Sequence, residues 1–143
     1  MKSFLVDTNF ILRYLLADDK DLFEKAKKIL DEAAKKKIKV EIIPEVIFEL
    51  NYVLKGVYKV KREKVAEILL NLVKTPYLVI ENQSLLIEVL ETYQKVNVDL
   101  FDIYLYFLGK SKNKEILSFD SDFKKLSHLS PTKFLKEPKR LAP

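Results

Sequence analysis

The chain has no cysteine, a single histidine (His128) and only two glycines in 143 residues. Each shortage closes off some chemistry. Without cysteine there is no disulfide framework, thiolate zinc site or thiol nucleophile. A Ser-His-Asp triad would have to use His128, which sits in Ser127-His128-Leu129 near the C-terminus and reads as a solvated or half-buried side chain. Any metal must therefore be held mainly by oxygen ligands, which favours Mg²⁺ or Mn²⁺. Two glycines and five prolines leave little material for long linkers, and no low-complexity tract or internal repeat is visible. No apolar stretch reaches the length needed to span a bilayer, and the run after Lys2-Ser3 is too short for a signal peptide. Nothing points to secretion, so a cytoplasmic protein without a membrane partner is expected.

What is present is a globular composition, with 48% hydrophobic and 33% charged residues. The length suits one domain with a sizeable core, expected over residues 1–136, followed by a loosely ordered tail at 137–143. Net charge is +5 and the isoelectric point is near 9.2. If several acids converge in one pocket, the rest of the surface is more basic than the total suggests, which suits a polyanionic partner. A merely lysine-rich surface gives the same balance, and charge alone does not separate the two.

The stretch Phe4-Leu5-Val6-Asp7-Thr8-Asn9 organises the chain. A short apolar run ends abruptly at Asp7, and a helical pattern begins directly after it. This reads as a buried strand that delivers a carboxylate at its C-terminal end, the edge of an α/β sheet where ligands collect. Asp, Thr and Asn are also good helix N-caps, so Asp7 alone decides nothing.

Beyond it, helical spacing is expected over Asn9–Ala17 and through Leu22, Phe23, Ala26, Ile29 and Ala33. Ile38–Ile43 reads as a second strand. Pro44 suits the first position of a helix that stops near Gly56, and another helix fits Arg62–Val73. A third strand at Tyr77–Ile80, helices at Ser84–Lys95 and Asp99–Lys110, a fourth strand at Glu115–Phe119, a short helix at Phe123–Leu126 and an extended piece around Leu129–Phe134 complete the order. Strands alternating with helices give a three-layer α/β/α sandwich around a mostly parallel sheet.

Acids in apolar surroundings are the informative ones. Glu49 shares a helix face with Val46 and Val53, so an unpaired carboxylate there would cost several kcal/mol. Asp102 is the only charged residue between Leu100 and Leu108, in a helix apolar nearly all round, where an acid needs a cation. Asp99, three residues earlier, is either an N-cap or a second acid of the same face. Asp120 follows its strand as Asp7 follows the first, so the two meet at one edge if their strands are parallel neighbours. Asp122 could share the site but reads better as a cap of the short helix. Asn9 and Ser118 are polar neighbours able to orient ligands or water. Converging acids would repel one another without a cation. One or two Mg²⁺ or Mn²⁺ ions would relieve this and support phosphodiester hydrolysis. A buried ion-pair network is the competing explanation.

These residues resemble the PIN-domain ribonucleases, in particular the VapC-type toxins of toxin–antitoxin pairs. Val6-Asp7-Thr8-Asn9-Phe10-Ile11-Leu12 with Arg13-Tyr14-Leu15-Leu16 looks like the family's first motif, and Pro44 to Leu50 its second, with Glu49 as the matching acid. Val98-Asp99-Leu100-Phe101-Asp102-Ile103 is similar to the third and Leu117 to Phe123 to the fourth. The departures are mild: Ser118 stands where many members have Thr, and Ile103 where Ala is common. The resemblance spans nearly the whole chain. It implies a Mg²⁺- or Mn²⁺-dependent endoribonuclease, a homodimer and a small antitoxin partner. Asp7, Glu49, Asp102 and Asp120 would hold the metal, with Asn9, Asp99, Ser118 and Asp122 in support, while Arg13, Tyr14 and lysines grip RNA.

The alternatives are an RNA-processing nuclease without an antitoxin and a non-catalytic RNA- or protein-binding module on the same fold. A phosphatase with an aspartyl nucleophile is disfavoured because its second acid would fall on Asn9. A receiver domain is disfavoured because Asp7 lacks an acidic neighbour pair.

Overall fold

Helices separate nearly all the strands of this chain, and strands joined through helices can pair side by side only in parallel. The computed structural model, which describes residues 1–127 and the strand at 133–134, has this arrangement. In order come β1 (Ser3–Leu5), α1 (Thr8–Leu16), α2 (Lys20–Ala34), β2 (Lys39–Ile42), α3 (Pro44–Gly56) and α4 (Arg62–Val73). Then follow β3 (Val79–Ile80), α5 (Gln83–Tyr93), α6 (Leu100–Ser111), β4 (Leu117–Ser118), a 3₁₀ helix (Ser121–Lys125) and β5 (Lys133–Phe134). β1, β2 and β3 form a parallel sheet in that order, with Ser3 opposite Lys39 and Ile42 opposite Ile80. Together with the six described helices this is the three-layer α/β/α class that the alternating pattern predicts.

Local chemistry accounts for the element ends. Asp7 and Asp19 cap α1 and α2, each accepting a backbone N–H three residues on, at 2.9 and 3.1 Å. Pro44 occupies the first turn of α3, where its missing N–H costs nothing. One core joins the layers: Ile11 from α1, Val40 and Ile42 from β2, Ile47 and Leu50 from α3, Leu69 from α4, Leu90 from α5 and Ile103 from α6 are all fully buried.

Three expectations need correction. β1 is not a buried strand: Phe4 is 45% and Leu5 68% exposed. The reason is topological, since among the described residues β1 is the outer strand of its sheet and has a partner on one side only. β4 does not lie beside β1 but pairs with β5, Leu117 opposite Lys133, in a separate two-stranded sheet. And α6, expected to stop at Lys110, continues to Ser111. The extended piece expected from Leu129 is described only at Lys133–Phe134, and His128 and the tail at 137–143 lie outside the described residues.

Gly109, in the last turn of α6, has a packing role. A Cβ there would come within 2.8 Å of both the Ile116 side chain and the Lys114 carbonyl. The turn is drawn tight by the Lys114 N–H, which donates to the Gly109 carbonyl at 2.7 Å. Gly109→Ala is therefore expected to destabilise by about 1–3 kcal/mol through overpacking. Gly56→Ala, with nothing near the added methyl, should be neutral or stabilising by up to about 1 kcal/mol. Urea denaturation of both variants checks the pair, and equal losses would contradict the packing argument.

Candidate active site

Helix N-termini bring the acids forward. Asp99 caps α6 and accepts the Phe101 N–H at 3.2 Å. Asp102 follows in the first turn of the same helix. Asp120 caps the 3₁₀ helix, accepting the Asp122 N–H at 2.8 Å, and its own N–H donates to Ser118 Oγ at 2.9 Å. The expectation that Asp122 is the cap is thus reversed: it lies inside the helix, half-buried, 3.5 Å from the Lys125 ammonium.

These elements set Asp102 among like charges. Its carboxyl titrates above the usual carboxylate range, first because burial removes water and then because Asp99, Asp120 and Asp122 repel its negative form. The positive end of α6 acts the other way, as it favours an acid in the first turn. Four acids from two separate elements thus share one field, and no cation is among the causes of the shift.

The other expected residues have surroundings of their own. Asp7 is exposed and spends one oxygen on the Phe10 N–H. It borders an apolar groove beside β1 lined by Phe4, Leu5, Phe10 and Ile29. Glu49 is exposed too, so the burial argument for it fails: α3 turns Val46 inward and leaves Glu49 in solvent, where no partner is required. Neither residue is among the causes of the Asp102 shift. Asn9 is exposed and accepts from Arg13 Nε at 3.3 Å.

Arg13 and Tyr14, expected to grip RNA, are engaged within the chain. Arg13 pairs with Asp18 at 3.0 Å and reaches the Tyr58 side chain. Tyr14 stacks on Phe23 with ring centroids 5.7 Å apart. Reading α1 and α2 as helices packed on each other would have suggested this stack, but a linear motif does not show it. The tie that joins the loop before α6 to α4 was also missed. It rests on Arg62, which reads as an ordinary helix-start cation.

Whether a divalent cation fits can be tested on the donors themselves. All are hard carboxylate oxygens, as Mg²⁺ or Mn²⁺ requires, and the repulsion around Asp102 is what such an ion relieves. Among the described residues no three acidic or imidazole side chains converge closely enough to share one ion. Asp7, Asp99 and Asp120 are each turned toward a backbone N–H. A carboxylate has two oxygens, however, and a capping bond occupies one. The donor chemistry fits, and each capping acid keeps a second oxygen that its capping bond does not use.

A parallel α/β/α core carrying acids at the starts of its helices defines a class of small acidic-site proteins. Comparison with known families then places it: the PIN domain model matches residues 4–129, and the chain belongs to that family. It is also 28% identical over 123 residues, 85% of this chain and 90% of the relative, to a VapC ribonuclease of Aquifex aeolicus (strain VF5). No solved structure is matched. Among the described residues no helix is long and apolar enough to cross a membrane.

The raised Asp102 titration gives a signed expectation. The native state holds this proton to higher pH than the unfolded chain, so stability falls as pH rises from the ordinary aspartate value through the raised one. With EDTA present at pH 7, Asp102→Asn is expected to melt above wild type, and the gap should close as pH falls below the ordinary aspartate value, where the carboxyl is protonated in both states. A variant that melts lower at pH 7 would mean that the helix dipole, not repulsion, governs this position.

Proposed function

We propose that this protein is a metal-dependent endoribonuclease, the toxin of a toxin–antitoxin pair. One observation carries the reading: Asp102 lies in the field of Asp99, Asp120 and Asp122, with no cation among the influences on its carboxyl, in a chain that belongs to the PIN domain family. The named relative, a ribonuclease spanning nearly the same length, supports RNA as the substrate. A small antitoxin and a second copy of the chain are the partners this reading implies, and the cytoplasm is its place of action.

In this reading Asp102 is the central ligand of Mg²⁺ or Mn²⁺, with Asp99, Asp120 and Asp122 beside it. Asp7 and Glu49, exposed and without ion pairs among the described residues, complete the set. When bound, the ion supplies a lowered pKa for the attacking water and offsets charge on the phosphoryl oxygens. The carboxylates hold it and orient the water. Ser118 holds the Asp120 backbone through its hydroxyl, and Asn9 presents an amide next to Asp7. The chain's net charge of +5, with acids gathered at the site, leaves a basic surface that steers an RNA backbone.

Purified protein is expected to cleave single-stranded RNA with Mn²⁺ or Mg²⁺ and not with EDTA. Asp102→Asn should lose about 10²-fold or more in kcat, comparable to removing a preorganised electrostatic group. Asp7→Asn should fall similarly. Full activity in Asp7→Asn with loss only in Asp102→Asn would restrict the ligand set to the α6 cluster. Wild type that is inert with either metal on varied RNAs, and shows no metal-induced rise in Tm, would refute the nuclease reading in favour of a binding module.

A further inference from the structure

Arg62 opens α4, far in sequence from every candidate acid, yet it holds the loop on which their placement depends. Its Nη2 donates to the Tyr93 carbonyl at 3.0 Å, to the Val98 carbonyl at 2.8 Å and to the Val96 carbonyl. Its guanidinium carbon lies 3.7 Å from the centroid of the Tyr93 ring. Three carbonyl dipoles pointing at one place repel each other, and a cation between them turns that repulsion into attraction. The clamped segment leads from the end of α5 directly into Asp99, the cap of α6.

The same loop is tied to the other acid-bearing elements. Lys125, on the 3₁₀ helix that Asp120 caps, donates to the Asn97 carbonyl at 3.2 Å. The Tyr93 hydroxyl donates to Asn51 Oδ1 at 2.8 Å and accepts from Lys55 Nζ at 2.9 Å. Asn51 and Lys55 lie on α3, the helix that carries Glu49. Three elements bearing candidate ligands therefore meet at one loop, and Arg62 donates to three of its backbone carbonyls, those of Tyr93, Val96 and Val98.

Residue choice supports a specific role. Of the 26 Lys and Arg residues, only Arg13, Arg62 and Arg140 are arginine. Where this chain needs only positive charge it uses lysine. A planar group that donates along its edge while stacking on an aromatic face is something lysine does not provide.

We propose that Arg62 is a positioning residue for the acidic site: by clamping the Tyr93–Val98 backbone it fixes where Asp99 and Asp102 stand relative to Asp120 and Asp122. This rests on the reading of that cluster as a metal-binding nuclease site. Mutual repulsion pushes the acids apart, most strongly before a cation arrives, and the clamp keeps the loop from yielding. Arg62 touches neither metal nor RNA in this account. It acts through the loop.

The test compares wild type, Arg62→Lys and Arg62→Ala in three measurements: Mn²⁺ affinity from the free-ion electron paramagnetic resonance signal, kcat and KM on RNA, and hydrogen exchange across residues 97–104. Arg62→Lys keeps the charge and guards against a variant that fails to fold. Losses of about 10-fold in Mn²⁺ affinity and in kcat, as for outer-sphere partners of metal ligands, are expected in Arg62→Ala. KM should be little changed, Arg62→Lys should be intermediate, and exchange should be faster across 97–104 but not in α2. Wild-type Mn²⁺ affinity and kcat in folded Arg62→Ala would overturn the proposal. So would an activity loss that follows Tm alone while Mn²⁺ affinity stays unchanged. If wild type neither binds Mn²⁺ nor cleaves RNA, the nuclease reading fails instead, and unchanged exchange across 97–104 would then remove the clamp as well.

Discussion

Crowding of like charge at the start of α6 is the constraint around which this protein is arranged. Asp102 is half-buried with three acids in its field, and of these only Asp122 has an ion-pair partner among the described residues, Lys125 at 3.5 Å. Such an arrangement opposes folding locally, and it persists only because the surroundings are over-determined. Asp99 and Asp120 are locked by capping bonds to backbone N–H groups. The loop before α6 is held by the Arg62 guanidinium, and the inner face of α6 is anchored by fully buried Ile103 and by Tyr106. Packing elsewhere in the domain sustains the strained site, a common division of labour where stability and function compete.

The capping bonds have a second consequence. An acid at a helix N-cap is oriented before any ligand arrives, with one oxygen engaged and the other available. Three candidate ligands, Asp7, Asp99 and Asp120, share this arrangement. Structural and functional explanations of such residues are therefore not exclusive, and counting a cap against a ligand undervalues both. The Asp102 position differs, since it lies in the first turn and not at the cap, where burial and three neighbouring acids raise its titration.

Much of the fold was legible in the sequence because it follows from local rules. α4 matches the expected Arg62–Val73 at both ends, since the spacing of Val65, Leu69 and Leu72 is unambiguous for a helix with one buried face. Pro44 and Gly56 mark the two ends of α3 for equally local reasons. Strands were less legible. Tyr77–Ile80 shrank to Val79–Ile80 and Glu115–Phe119 to Leu117–Ser118, because strand length depends on what lies alongside. The misread burial of β1 and of Glu49 has the same origin, as apolar neighbours in sequence do not say which face meets the core.

The sequence by itself determined the chemistry available: oxygen donors only, no thiol, one histidine, and acids at the ends of predicted strands and the starts of helices. It also determined the alternation that makes the sheet parallel. Only the tertiary structure decided which acids share a field. It joined Asp102 with Asp99, Asp120 and Asp122 while leaving Asp7 and Glu49 exposed. It also drew Arg13 and Tyr14 into internal contacts and gave Arg62 the carbonyls of a loop some thirty residues away. The physical reason is range. Helix periodicity and capping act over a few neighbouring residues and can be read along the chain, whereas repulsion between carboxylates and the convergence of carbonyls on a cation depend on distances that exist only once the chain has folded.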